Sequence, residues 1–142
     1  EEGDHDLVLD LLEAMQAGGA DHTATFRALA DAAEAADDPA RRQFSEPERF
    51  DAWAARWRER LARDPQGPEA RALAMRAANP AIVPRNLAVE WALAAAVEEG
   101  DMRPFDRLHG LLARPFEDHP EATDLSMPPG PEARGYTTFC GT

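Results

Sequence analysis

Asn79-Pro80-Ala81-Ile82-Val83-Pro84-Arg85-Asn86 separates two Ala-rich runs of helical periodicity, and its reading decides the fold. A residue that precedes proline is pushed out of the α region, so Asn79 ends the helix before it, while Pro80 and Pro84 fix their own φ and remove two backbone donors. Ile82 and Val83 are apolar where a solvent loop would be polar, which predicts that the segment packs against something. Asn86 is expected to cap the helix that follows. Arg85 is expected to make a salt bridge at this interhelical corner. No chemistry attaches to such a spacing by itself, so Asn79, Pro80, Pro84, Arg85 and Asn86 read as structural residues.

Working back toward the start, Pro65-Gln66-Gly67-Pro68 is a turn, with Pro68 suited to the first position of the helix that Asn79 ends. Ser45, followed three residues later by Glu48, has the form of a capping box, and behind it Phe50, Trp53, Ala54, Trp57 and Leu61 make one apolar stripe. Trp53 and Trp57, four apart, read as core rather than as a stacking platform for a base or cofactor. Asp21 or Thr23 opens an earlier helix with Phe26, Leu29, Ala30 and Ala33 on one face, ended by Asp37-Asp38-Pro39. The first helix is expected over Asp6 to Ala17, with Leu7, Val8, Leu11, Leu12 and Met15 in helical register, Asp4 as cap and Gly18-Gly19 as stop.

Beyond the pivot, Leu87, Trp91 and Ala95 share a face that Val89, Leu93 and Val97 widen, and Gly100 provides the stop. Asp101 begins another helix, whose expected buried side is Phe105, Leu108, Leu111 and Leu112, and Arg114-Pro115-Phe116 ends it. From Glu117 the composition turns to Pro, Gly and acidic residues, and Pro128-Pro129-Gly130-Pro131 predicts an extended arm carrying Cys140. With no β pattern and no internal repeat, the expected fold is all-α: a bundle of about six short helices over residues 1–116, followed by an irregular Pro/Gly-rich tail over 117–142.

The chain has 142 residues, one domain's worth, and starts at Glu1 rather than at methionine, which suggests a piece of a longer protein. Its basic residues are all arginine, 15 against 27 acidic ones, and the net charge of −12 disfavours nucleic acid as a partner. No apolar run is long enough to cross a bilayer. The single cysteine excludes an internal disulfide and fits a reducing compartment, so a cytoplasmic location is expected.

The search for chemistry returns mostly exclusions. Without lysine the chain holds neither a P-loop nor the nucleotide-anchoring lysine of a kinase. His5, His22, His109 and His119 lack the spacing that sets two imidazoles on one helix face for a metal. Asp37-Asp38 and Glu98-Glu99 stand at expected helix ends with no apolar surround to raise a pKa, so they read as solvated charge. No catalytic, cofactor-binding or metal residue is assigned. Cys140 is the one reactive atom; Phe139, Gly141 and Thr142 offer no cation to lower its pKa, and by its neighbours alone it reads as inert.

Taken together, Asp21-His22-Thr23-Ala24-Thr25-Phe26-Arg27-Ala28-Leu29, Trp53 and Trp57 with Arg60-Leu61, Met75 leading into Asn79-Pro80 and Arg85-Asn86, Arg114-Pro115-Phe116, and Phe139-Cys140-Gly141-Thr142 resemble the C-terminal region of the selenoprotein O, or YdiU-type, family. The pieces stand in that family's order and at about its spacing over nearly the whole chain. His22 stands where the family pattern would place an aromatic residue. The resemblance implies a parent protein of kinase-like fold that transfers AMP from ATP to hydroxyl side chains of proteins, with magnesium or manganese, its nucleotide and metal residues lying upstream. It implies a redox role for Cys140, which matches a position that is selenocysteine in some members. The expected partners are the upstream kinase-like core of the same chain and the parent's protein substrates, with no membrane. The rival expectation is an autonomous helical interaction module without enzymatic role.

Overall fold

The computed structural model describes residues 3–34 and 38–126, and every described element is helical or a turn. Asp37, Pro128–Pro131 and Cys140 lie outside the described residues. The all-α expectation holds. The chain divides into two compact units, and the division falls at the pivot, between Asn79 and Pro80.

The first unit contains α1 (Asp4–Gly18), α2 (His22–Glu34), α3 (Asp38–Arg41), α4 (Pro47–Leu61) and α5 (Pro68–Ala78). Local chemistry explains most of these ends. Gly19 terminates α1 in the left-handed conformation, at φ 63°, where a residue with a Cβ is disfavoured. Asp21 caps α2, its Oδ1 accepting from the Ala24 amide at 2.9 Å. Pro68 opens α5, where a missing N–H costs nothing.

Inside the unit α1 packs on α4, and α2 packs on α3 and α5. Leu11, Met15, Leu29, Phe44, Phe50, Trp53 and Trp57 belong to one buried cluster. Aromatic rings run through it: Phe44 to Phe50 at 5.4 Å, Phe50 to Trp53 at 5.9 Å, and Trp53 stacked on Trp57 at 5.2 Å. Val8 and Leu12, in helical register with Leu11 and Met15, are exposed, because α4 covers only the side of α1 that carries Leu11 and Met15.

The capping box is corrected. Pro47 takes the first turn of α4 and leaves Glu46 at the cap position, so Ser45 sits one residue too early to serve. Ser45 turns to α1 instead, its hydroxyl and its amide both donating to the Gly18 carbonyl, at 2.8 and 3.0 Å. Asp4 is likewise not a cap: it lies inside α1, after Gly3.

The second unit starts with the non-helical pivot and holds α6 (Asn86–Ala94), continued by a π-helical turn over Ala95–Glu99, then α7 (Arg103–Leu112), a 3-10 turn over Pro120–Ala122 and the short α8 (Thr123–Ser126). Ile82 is 1% exposed and packs with Leu111 and Ala122. The Ala81 and Ile82 amides both donate to the Pro115 carbonyl, at 2.7 and 3.3 Å, which gives the non-helical backbone its partners. Gly100, at φ 68°, closes the π turn. Asp101 then accepts from the Arg103 amide at 3.0 Å and pairs with its guanidinium, which holds the Asp101 carboxyl down at about 2.

Four expectations for this unit change. Asn86 does not cap α6: Arg85 occupies the half-in position, extended at φ −77° and ψ 133°, and Asn86 is already helical and exposed. We therefore expect Asn86→Ala to shift the unfolding free energy by less than about 0.5 kcal/mol, as an ordinary surface change does; a thermal melt followed by circular dichroism checks it. Trp91, Leu93 and Val97 are exposed, and α6 buries Ala92 while the π turn buries Ala95, since small residues let helices approach closely. Phe105 is 37% exposed, and α7 buries Leu108 and Leu111. Finally, residues 120–126 are helical where an extended arm was expected, because Ala122 is fully buried beside Ile82 and Leu111.

Candidate functional site

A cleft of ≈ 370 Å³ in the first unit has an apolar wall that includes Leu11, Phe26, Trp53, Trp57 and Met75. Its charged margin is made of Asp4, Arg60, Asp64 and Arg71. The helical periodicity of α4 places Trp53, Trp57 and Arg60 along neighbouring turns, which is why the stacked indoles and a cation share the cleft. His22 lies over Phe26 with ring centroids 4.6 Å apart, so an imidazole does the packing work of an aromatic there.

Each charge at this margin is engaged. Arg60 grips Asp4 through two bonds of 2.7 and 3.2 Å. Arg71, 9% exposed, donates to Asp64 at 2.9 Å and to the carbonyls of Leu61 and Gln66 at 3.2 and 2.7 Å, tying the start of α5 to the end of α4. The Gln66 amide donates to Asp64 at 3.0 Å, and with the Arg71 guanidinium it holds the Asp64 carboxyl below the usual range. The Arg60 bond holds Asp4 down at about 2. A general acid needs a pKa near the working pH, so carboxylates held this low serve to fix structure.

A titration follows from Asp4. Its folded pKa lies below the ordinary value of about 3.9, so the pair's contribution is complete above that pH and is lost as pH falls through about 2. Carboxyl-carbon NMR should find Asp4 titrating near 2 in the wild type. Arg60→Ala should move it back toward the ordinary carboxylate value.

The sequence-derived residues are placed as follows. Trp53 and Trp57 meet in this cleft, and the Trp53 indole N–H donates to the Leu7 carbonyl at 2.9 Å. Asn79 ends α5 in extended conformation, its side-chain amide donating back to the Met75 carbonyl at 2.8 Å. Pro80, Pro84, Arg85 and Asn86 belong to the second unit. Sequence reasoning missed Arg27, which donates to the Arg76 and Asn79 carbonyls at 2.8 and 3.0 Å and so satisfies the end of α5 from α2. It also missed Arg71; the cue was Asp64 standing just before the Pro65–Pro68 turn, where an Asp carboxylate meets backbone amides.

Among the described residues no group of three His, Cys, Asp or Glu side chains could hold a metal ion. With no lysine in the chain and its cleft carboxylates already paired, the described residues do not fit a magnesium–nucleotide complex. Among them no helix is long and apolar enough to cross a membrane.

The family model described as "Protein adenylyltransferase SelO" matches residues 1–113. The chain is 49% identical over 142 residues to the "Protein nucleotidyltransferase YdiU" of Bradyrhizobium sp. (strain ORS 278), and that alignment covers 99% of this chain and 29% of the relative. It is 52% identical over 144 residues to the protein of the same description from Rhizobium etli (strain CIAT 652), with coverage of 100% and 29%. The relative from Alkalilimnicola ehrlichii is 49% identical, with coverage of 99% and 29%. The chain thus spans 29% of the length of these relatives. Because the family model covers most of the chain and the relatives align along 99–100% of it, the chain belongs to the family described as protein adenylyltransferase SelO.

Proposed function

We propose that these residues are the C-terminal helical region of a protein adenylyltransferase, which transfers AMP from ATP to hydroxyl side chains of proteins. The carrying observation is identity of about half the residues, along the whole chain, to nucleotidyltransferases more than three times as long. In this reading the region buttresses a kinase-like core formed by the rest of the polypeptide, which binds ATP and magnesium or manganese, and the helical region supplies no reacting group. The paired carboxylates and the arginines spent on backbone carbonyls support a scaffold rather than a site of phosphate chemistry. The test is transfer of labelled AMP from ATP to protein by the longer polypeptide, beside calorimetry of residues 1–142 with magnesium and ATP. Transfer by the first and no binding by the second are expected. Saturable micromolar binding of ATP by residues 1–142 alone, or no transfer by the longer polypeptide, refutes the reading.

Cys140 gives the same polypeptide a redox handle. It is the single cysteine of these residues, so any intramolecular disulfide must use a cysteine of the core. The two thiols would lose two protons and two electrons to an oxidant such as a peroxide, and the bond would make activity depend on reductant. Peptide mapping without reductant after peroxide treatment should find Cys140 bridged. Cys140→Ala should then lose the response of AMP transfer to dithiothreitol. A Cys140 that stays alkylatable, or a variant that responds as wild type does, identifies an inert thiol.

A further inference from the structure

Helix α6 is apolar almost all round: Asn86 and Glu90 are its polar residues, and leucine, valine, alanine and tryptophan fill the other positions. A helix of that composition belongs where it is covered on every side. Here it is not. Trp91 is 60% exposed and Leu93 47%, and Val97 in the π turn is 82% exposed. Leu93 and Val97 are four residues apart, so they form a continuous strip; Trp91, two residues before Leu93, is bare on another side of the helix. What α6 and the π turn bury within their own unit is alanine, Ala92 and Ala95.

We propose that the bare side of α6 and its π turn is a seam, covered by the part of the same polypeptide that lies outside residues 1–142. Three observations choose this occupant. The relatives are more than three times as long as the chain, so a large remainder of the polypeptide exists in that reading to cover the face. The segment from Asn86 to Glu99 carries Glu90, Glu98 and Glu99 and no cation, and the chain as a whole has net charge −12. A second copy docking isologously would therefore set glutamates against glutamates, which like-charge repulsion opposes. The covering surface is an apolar patch with arginine or lysine at its margin, placed to meet those glutamates. The seam rests on the reading that the chain is a region of a longer enzyme, and it names the face by which that region meets the rest.

The experiment uses the longer polypeptide. Replacing Val97 by p-benzoylphenylalanine puts a photo-reactive group at the most exposed position of the strip, where a larger side chain meets no packed neighbour within its own unit. After irradiation, mass spectrometry of the monomeric band should find the cross-link in a peptide outside residues 1–142. A cross-link within residues 1–142, a cross-link to a second copy, or none at all overturns the proposal. As a readout that needs no substitution, hydroxyl-radical footprinting of the wild type should find Leu93 reacting as slowly as the buried Leu108; reaction at the rate of a leucine in water overturns it too. AMP transfer is assayed on the same preparation. A polypeptide that cross-links as expected but transfers no AMP overturns the proposed activity and leaves the seam standing.

Discussion

Trp53→Ala is expected to lower the unfolding free energy by about 3–5 kcal/mol, the usual cost of truncating a buried tryptophan. Trp53 is buried between Phe50 and Trp57, with ring centroids 5.9 and 5.2 Å away, and its N–H reaches the Leu7 carbonyl across to α1. The substitution removes two aromatic contacts and a tie between α1 and α4, and it opens a void beside a core that has small residues such as Ala28, Ala33 and Ala54 with little reach to refill it. Domains of this size are stable by about 5–15 kcal/mol, so a loss of that order is a large part of the total. Urea unfolding followed by circular dichroism measures it. Trp53→Phe keeps a ring and should lose much less. Coincident curves for Trp53→Ala and wild type would place the indole outside the core.

Ile82→Ala is expected to cost about 2–5 kcal/mol, and Ile82→Val only about 0.5–1.5 kcal/mol. The second unit has a small core, with Ile82, Leu111 and Ala122 as its buried cluster, and Ile82 is the largest side chain fully inside it. Three separate stretches of chain meet there: the pivot, the end of α7, and the 3-10 turn over residues 120–122. Loss of the isoleucine should loosen all three together. Amide hydrogen exchange should therefore speed up at Ala81 and Ile82, whose amides donate to Pro115, and at Ala122, whose amide donates to His119 at 2.9 Å. Faster exchange at the pivot with unchanged protection at Ala122 would show that the turn does not depend on Ile82.

Prolines and glycines made the element ends legible. Gly19 and Gly100 adopt the left-handed conformation that a Cβ disfavours, Pro68 starts a helix because its ring pre-sets φ, and Asn79 is extended because Pro80 follows it. The same chemistry explains the misreading at Ser45. Ser45 and Glu48 have the spacing of a capping box, but Pro47 between them outranks it, since a ring locked at the first helical position moves the cap to Glu46. Asn86 was misplaced by one residue for a similar reason: the extended backbone set by Pro84 runs through Arg85 before the helix begins.

What the sequence by itself determined is the all-α class, the stops at Gly19, Asn79 and Gly100, the indole pair of α4 and, through its scattered motifs, the family. These follow from backbone preferences and periodicity that act within a turn or two of the chain. The tertiary structure alone decided which apolar faces are covered: that Trp91 and Val97 are bare while Ala92 and Ala95 are inside, and that Ala122 helps to close the core of the second unit. It alone decided that Ser45 bonds Gly18, that Arg27 holds the end of α5, and that Arg71 joins α4 to α5. Periodicity says that a helix has an apolar side, but the width of that side that is buried depends on the shape of a partner far along the chain, and a guanidinium reaching across tens of residues leaves no local trace.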